Sequence, residues 1–241
     1  MRVEIHPEVG DPLIASNWRH SFHGWWVTSI EGWHGTPAPR EGAISASGRD
    51  GDMWPSRLTQ GKRVITIGFY AAFRSSVEAE RLCSSLTGLY GQRLKVIIEN
   101  AGGKKWAEGF LSGDLDVTLA LSESEFSFSL TMTCPDPHRY GMPERFDSSS
   151  KTVTVLNLGN APTWPKIIVP GHVKSLTAVF SGHTFKWTGD AQSLVLDLRK
   201  PSASSGTIDI DDAFSIPPGA SDVSVTTDAG YYTFEICSAW R

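Results

Sequence analysis

The stretch from Phe126 to Gly141 constrains the fold of this chain more narrowly than any other. Its first nine residues alternate between apolar and hydroxyl-bearing side chains, the apolar set being Phe126, Phe128, Leu130, Met132 and Cys134. Because a strand turns successive side chains to opposite faces, this pattern predicts a strand with one face on a core. Pro135 and Pro137 end it, since proline donates no ladder hydrogen bond and restricts the residue before it. The polar, serine-rich residues 142–151 then predict a hinge.

This hinge divides the chain of 241 residues into two predicted domains, 1–145 and 146–241.

The net charge is -4 and no basic run is present, which argues against specific nucleic-acid binding. The longest apolar run, Val64–Phe73, is shorter than the roughly 20 residues that span a bilayer, so membrane insertion is not expected. The start lacks the apolar core of a signal peptide. Cys83, Cys134 and Cys237 are few and widely spaced, which favours buried thiols in a protein made in a reducing cytoplasm.

The first part of the chain reads as strands separated by loops. Trp25–Ile30 is a candidate strand, and the glycine- and proline-rich segments Gly32–Pro39 and Ser47–Met53 are predicted loops. Lys62–Phe73 is mostly apolar at both alternating sets of positions, which predicts a central strand.

One helix is predicted, over Ser75–Leu89. Ser75 with Glu78 has the spacing of a capping box, and leucines at 82, 86 and 89 form one apolar stripe. Gly88 is the predicted left-handed end of this helix. A single amphipathic helix is too narrow to cover a sheet, so most of the core is expected to be β against β.

Further strands are predicted on both sides of the hinge. Before it, Arg93–Glu99, Lys104–Leu111 and Asp114–Leu121 are expected to form a meander, with a hairpin at Asn100–Gly103. After it, eight short segments recur at roughly ten-residue spacing, which is typical of an antiparallel sandwich. They are Lys151–Leu158, Trp164–Val169, Ser175–Phe180, Thr184–Trp187, Ser193–Leu198, Thr207–Ile210, Asp222–Thr226 and Tyr231–Ile236.

No residue set forms a catalytic or metal-binding constellation. Compact zinc, nucleotide and nucleophile-elbow motifs are absent, so no enzymatic activity and no cofactor are expected. His20 and His23 are interpreted as a solvated loop pair. Asp209, Asp211 and Asp212 are interpreted as an acidic strand end, because the EF-hand spacing fails. Glu123 and Glu125 are expected to share a strand face as a charged edge.

Tryptophan is unusually frequent, with nine residues along the chain. Exposed tryptophan faces are used by sugar-binding surfaces and by subunit interfaces, but most tryptophans in a β protein belong to the core. The core interpretation is favoured for most of them. Trp187, between Lys186 and Thr188 in a predicted hairpin, is expected to be exposed.

Several segments in a fixed order resemble the distal tail proteins of long-tailed phages. They are Gly32–Gly35, Gly61–Gly68 followed by the helix, Cys134–Gly141 with its Asp-Pro-x-x-Tyr-like pattern, Asn157–Asn160 with Pro165, Leu196–Leu198, Pro217–Gly219 and Trp240. The resemblance begins at about residue 30. The segment Trp18–Trp26 departs from it, and it leaves the length of the Ser47–Met53 loop open.

The resemblance implies a mainly β fold. A tail-tube-like β-sandwich or split barrel with one α-helix would be followed by a galectin-like antiparallel β-sandwich. It further implies a structural, non-enzymatic protein that forms a homo-hexameric ring between the tail tube protein and the tail tip, hub or baseplate, with a channel for DNA. Such a protein resides in the virion tail tip after assembly in the host cytoplasm. The alternative is a carbohydrate-binding module for host cell-surface sugar, which exposure of Trp164, Trp187 or Trp240 would favour.

Overall fold

The structure is a computed structural model that describes residues 1–17, 23–40, 44–45, 47–48, 50–55 and 58–241. It is mainly β with one described α-helix, as predicted. The chain separates into two compact units, Met1–Arg139 with Arg241 and Tyr140–Trp240. The division into domains 1–145 and 146–241 stays a prediction about independent folding.

The first unit is a closed barrel of seven strands. Its elements are β1 (Arg2–Pro7), β2 (Leu13–Ser16), β3 (Gly24–Glu31), β4 (Ile44–Ser45), β5 (Asp52–Met53), β6 (Arg63–Ala72), α1 (Ser76–Thr87), β7 (Leu94–Asn100), β8 (Gly103–Leu111), β9 (Val117–Leu119) and β10 (Glu125–Cys134). The strand order is β8-β7-β1-β2-β3-β6-β10, and β10 closes the barrel by pairing with β8. The strands β4 and β5 pair only with each other among the described strands.

Strand β10 confirms the prediction from the alternating stretch. It pairs with β6 from Glu125↔Ala72 to Cys134↔Arg63, and its apolar positions are buried. Phe128 stacks on Phe69 of β6 at 4.9 Å between ring centroids. Thr133 is also buried, at the position where β8 pairs with β10. The predicted central strand is confirmed as well, because β6 lies between β3 and β10.

Helix α1 begins where its capping residue predicts. The Ser75 hydroxyl accepts a hydrogen bond from the Glu78 amide, and Leu86 and Leu89 are buried. The prediction of a left-handed Gly88 is wrong, since its φ is -67°. The chain instead continues through further hydrogen-bonded turns, and the positive φ of +78° falls at Gly91.

The predicted meander over 93–121 is only partly correct. Strands β7 and β8 form the expected hairpin, with Asn100 opposite Gly103. The segment Asp114–Leu121, however, does not pair with β8. Its strand β9 pairs with β10, because a tight turn bonds the Ala120 amide to the Glu125 carbonyl.

The second unit is an antiparallel sandwich, as predicted. Its strands are β11 (Arg139–Gly141), β12 (Glu144–Ser148), β13 (Thr152–Asn157), β14 (Lys166–Val169), β15 (Val173–Phe180), β16 (His183–Ala191), β17 (Leu194–Asp197), β18 (Ser202–Ala203), β19 (Thr207–Asp211), β20 (Gly219–Thr227), β21 (Tyr232–Ile236) and β22 (Ala239–Trp240). Two five-stranded sheets, β12-β21-β14-β17-β18 and β13-β20-β15-β16-β19, contribute to one apolar core.

The predicted hinge over 142–151 is wrong. Most of it is strand β12, which pairs with β21 from Glu144↔Ile236 to Ser148↔Tyr232. The segment is polar because β12 is the edge strand of its sheet. Phe146 alone packs against the core, while Arg145 and Asp147 face outward.

Candidate assembly surfaces

A fully buried arginine in the segment Gly61–Gly68 joins the two other segments of the first unit that carry the resemblance. Arg63, 1% exposed, donates through Nη1 to the carbonyls of Gly32, Trp33 and Gly35 and through Nε to that of Pro137. Burial lowers the pKa of its guanidinium. These contacts hold the Gly32–Gly35 loop and the turn after β10 against strand β6.

Two neighbours complete this internal cluster. Arg139 lies over the ring of Trp33 at 5.7 Å and donates to the Arg241 carbonyl, and Trp33 is itself buried. Gly32 has a φ of +74°, and a Cβ there would overlap the Val64 carbonyl oxygen. The loop is therefore fixed by glycine geometry at one end and by the Arg63 guanidinium along its length.

The described residues between 38 and 61 form a hairpin arm, which lies between β3 and β6 in the chain. Its base is bonded by Gly61 to Ala38 and by Arg40 to Thr59, and β4 and β5 pair further out. None of its described residues belongs to the core of the unit. Trp54 is 85% exposed and Leu58 is 69% exposed. Apolar side chains of this size and exposure are candidates for a surface that another protein covers.

A second exposed region lies at the turn between β9 and β10. Among the described strands, β9 ends the sheet order and pairs on one side only. Leu119 is half-exposed and Leu121 is fully exposed. An unpaired strand edge beside exposed leucines is a site where another chain can add a strand.

The structure contradicts one of the tryptophan predictions and agrees with another. Trp187 is fully buried and its Nε1 donates to the Ser205 carbonyl, so the prediction that it is exposed is wrong. Strand alternation places it with Phe185 on the inward face of β16. Trp164 is 39% exposed and Trp240 is partly buried. Trp25 packs on Phe73, Phe126 and Phe128, as the core interpretation predicts.

The acidic residues considered as sites form ordinary surface pairs. Asp209 accepts from the Thr188 hydroxyl and Asp212 pairs with His183 at 2.9 Å. Glu123 and Glu125 do not share a strand face, since Glu123 lies in the turn with a φ of 54° and Glu125 accepts from Tyr70.

Metal and membrane features were also sought in the described ranges. No group of three or more His, Cys, Asp or Glu there could hold a metal ion. The helix of the described chain is neither long nor apolar enough to cross a bilayer. Some of the sequence predictions concern residues outside the described ranges, namely Trp18, His20 and part of Ser47–Met53.

Comparison with known proteins gives matches in structure rather than in sequence. No protein-family model and no curated protein matches the chain. The crystal structure of the Dit protein (gp 19.1) of phage SPP1, described as a paradigm of the hub adsorption apparatus in phages that infect Gram-positive bacteria, matches at 12% identity and a TM-score of 0.67. This match covers 99% of both chains.

Two structures of the phage P2 baseplate in its activated conformation, one with Ca and one with Sr, also match. Each has 10% identity, 98% coverage of both chains and a TM-score of 0.60. The predicted resemblance to phage distal tail proteins is therefore confirmed in the fold: this chain has the fold of the SPP1 Dit protein along its whole length.

Proposed function

We propose that this protein is a structural component of a phage tail tip. The observation that carries the proposal is that both units match the SPP1 Dit protein together, over 99% of each chain. A shared single-domain fold is weak evidence for function, but two different folds in the same order constrain it more strongly. On this proposal the chain is not an enzyme, is assembled in the host cytoplasm and resides in the virion.

The finer proposal is a homo-hexameric ring that connects the tail tube protein to the tail tip or hub and leaves a channel for DNA. Two features of the first unit support it, the hairpin arm and the free edge of β9. When different patches of one surface meet in neighbouring copies, the contact repeats from copy to copy and closes a ring if the rotation between copies closes. The net charge of -4 also suits a channel that does not retain DNA, because DNA retention depends on basic side chains.

The alternative function, sugar binding by tryptophans of the second unit, has lost its principal support. Trp187 was the residue expected to offer an exposed face, and it belongs to the core, while Trp164 is only 39% exposed and Trp240 is partly buried. We therefore do not carry it forward as a second function.

The native mass in solution tests the proposed ring. Light scattering on the full chain is expected to show about six times the mass of one chain. Trp54→Ser with Leu58→Ser on the hairpin arm is expected to reduce that mass. Val195→Ser, at a 41% exposed position in the second unit, is the matched control and leaves it unchanged. A monomeric wild-type chain contradicts the ring.

A further inference from the structure

The outer face of the barrel carries a polar trough of about 610 Å³ that lies across β3, β6, β10 and β9. Its volume is in the range of ligand-binding clefts, roughly 300–1,000 Å³. All of its lining residues belong to the first unit. It is distinct from both the hairpin arm and the leucines of the β9–β10 turn.

The trough exists because three positions carry little or no side chain. Gly68 is in the middle of β6, and Ser127 and Ser129 lie on either side of Phe128 in β10. A glycine inside an otherwise well-packed strand often marks a place where another group approaches the backbone closely. These positions leave the central strands of the barrel open from the outside.

A β-bulge brings two hydroxyls over this glycine. The pairing of β3 with β6 shifts between Val27 and Ser29, so Thr28 and Ser29 are both exposed although they are consecutive. A Cβ on Gly68 would lie 2.6 Å from Thr28 Oγ1 and 2.6 Å from Ser29 Oγ. Bulges re-aim side chains at functional sites, and this one gathers two donors and acceptors at one point.

The remaining described lining is rich in hydroxyls and has no basic side chain. Ser127, Ser129 and Thr118 add three more hydroxyls, and Asp116 adds one carboxylate. In the described chain, none of the five hydroxyls of Thr28, Ser29, Thr118, Ser127 and Ser129 is hydrogen-bonded to another protein group, so all five are available to a ligand. Tyr70 is half-buried and packs beside Trp26 at 5.7 Å, which adds an aromatic wall.

These groups define a ligand by its chemistry. Hydroxyls both donate and accept hydrogen bonds, while the Asp116 carboxylate only accepts. Among the described residues, the lining contains no lysine or arginine, so an anionic ligand would meet the Asp116 carboxylate and no described cation. We propose that this trough binds a neutral oligosaccharide through Thr28, Ser29, Ser127, Ser129 and Asp116.

Binding of defined tetrasaccharides to the full chain tests this proposal. The probes are chitotetraose, cellotetraose and maltotetraose, with a sulfated heparin tetrasaccharide as the anionic comparison, followed by saturation-transfer NMR and calorimetry. At least one neutral probe is expected to bind saturably, and the sulfated one is not. Ser127→Leu with Ser129→Leu is expected to weaken binding about tenfold, the equivalent of one or two lost hydrogen bonds.

Two further variants keep the test decisive. Gly68→Ala keeps the strand but displaces the Thr28 and Ser29 hydroxyls, so it is expected to weaken binding with little change in melting temperature. Ser224→Leu, at an exposed position of β20, is the matched control and leaves binding unchanged. No saturable binding of any neutral probe, equal binding by all variants, or preference for the sulfated probe overturns the proposal. The native mass of the same samples reports on the ring separately.

Discussion

The two compact units differ in how much apolar surface each leaves uncovered. In the described part of the first unit, six large apolar side chains are at least 69% exposed: Val9, Trp54, Leu58, Val77, Tyr90 and Leu121. In the second unit the most exposed such residue is Leu158, at 61%, and the others lie between 38% and 45%.

The two units also use their bulkiest aromatic groups differently. The second unit encloses Trp187 completely, whereas the first encloses Trp33 and leaves Trp54 on its arm in water. A unit that covers its own apolar groups has little to gain from association, while one that does not is stabilised by a partner. On the proposed function, we therefore expect assembly to depend on the first unit.

Producing the two units as separate fragments tests this expectation, and it is the experiment for which we expect the largest effect on native mass. A fragment ending at Arg139 is expected to keep the assembled state, because it contains the hairpin arm and the edge of β9. A fragment beginning at Tyr140 is expected to be monomeric. Light scattering measures both, and circular dichroism checks that each is folded. If the first fragment is monomeric and the second fragment associates, the expectation that assembly depends on the first unit is wrong.

Arg63→Met is expected to destabilise the first unit by about 5 kcal/mol. It leaves the carbonyls of Gly32, Trp33, Gly35 and Pro137 without their donor, and each buried acceptor without a partner costs about 1–3 kcal/mol before relaxation. Arg74→Met, at an exposed position before α1, is the control and is expected to stay within about 0.5 kcal/mol. Chemical denaturation measures both, and equal losses exclude a special role for Arg63.

Phe128→Ala is expected to cost the first unit about 3–5 kcal/mol, the usual effect of emptying a buried aromatic site. Phe128 is 4% exposed and stacks on Phe69, whereas Ser129 next to it faces outward. Ser129→Ala is therefore expected to cost well under about 1 kcal/mol. Thermal melting curves of the two variants measure both effects. Similar losses of stability would contradict the assignment of Phe128 to the buried face and Ser129 to the exposed face of β10.

A smaller, pH-dependent effect is expected in the second unit. The Asp228 carboxylate accepts hydrogen bonds from the Ser175 and Lys174 amides, which lower its pKa. Since the folded pKa lies below the unfolded value of about 4, this stabilisation is complete above that value and is lost as pH falls through the folded pKa.

Asp228→Asn isolates this contribution. It is expected to lower the melting temperature at neutral pH and to flatten the acid dependence below about pH 4. Asp11→Asn, an exposed carboxylate in the first unit, is the control. An unchanged acid dependence in the Asp228 variant shows that other carboxylates govern the melting of this unit.

Local periodicity determined much of the fold without tertiary information. The alternation from Phe126 to Cys134, the apolar run of β6 and the Ser75 cap each depend on residues a few positions apart. The structure confirms strand β10, the central place of β6 in its sheet and the cap. The eight sandwich strands follow from the same period of two. These features can be predicted from sequence because the local backbone conformation sets the direction of each side chain.

Tertiary structure alone decided how these elements combine. The pairing of β9 with β10, and the closure of the barrel by β8, depend on contacts between distant residues that no local pattern specifies. Trp187 is buried by residues outside its own hairpin, among them Ser205, whose carbonyl accepts a hydrogen bond from Trp187 Nε1. The sequence of the hairpin alone does not show these neighbours. The four carbonyls around Arg63 and the trough over Gly68 likewise come from separate segments, so neither could be read from any one of them.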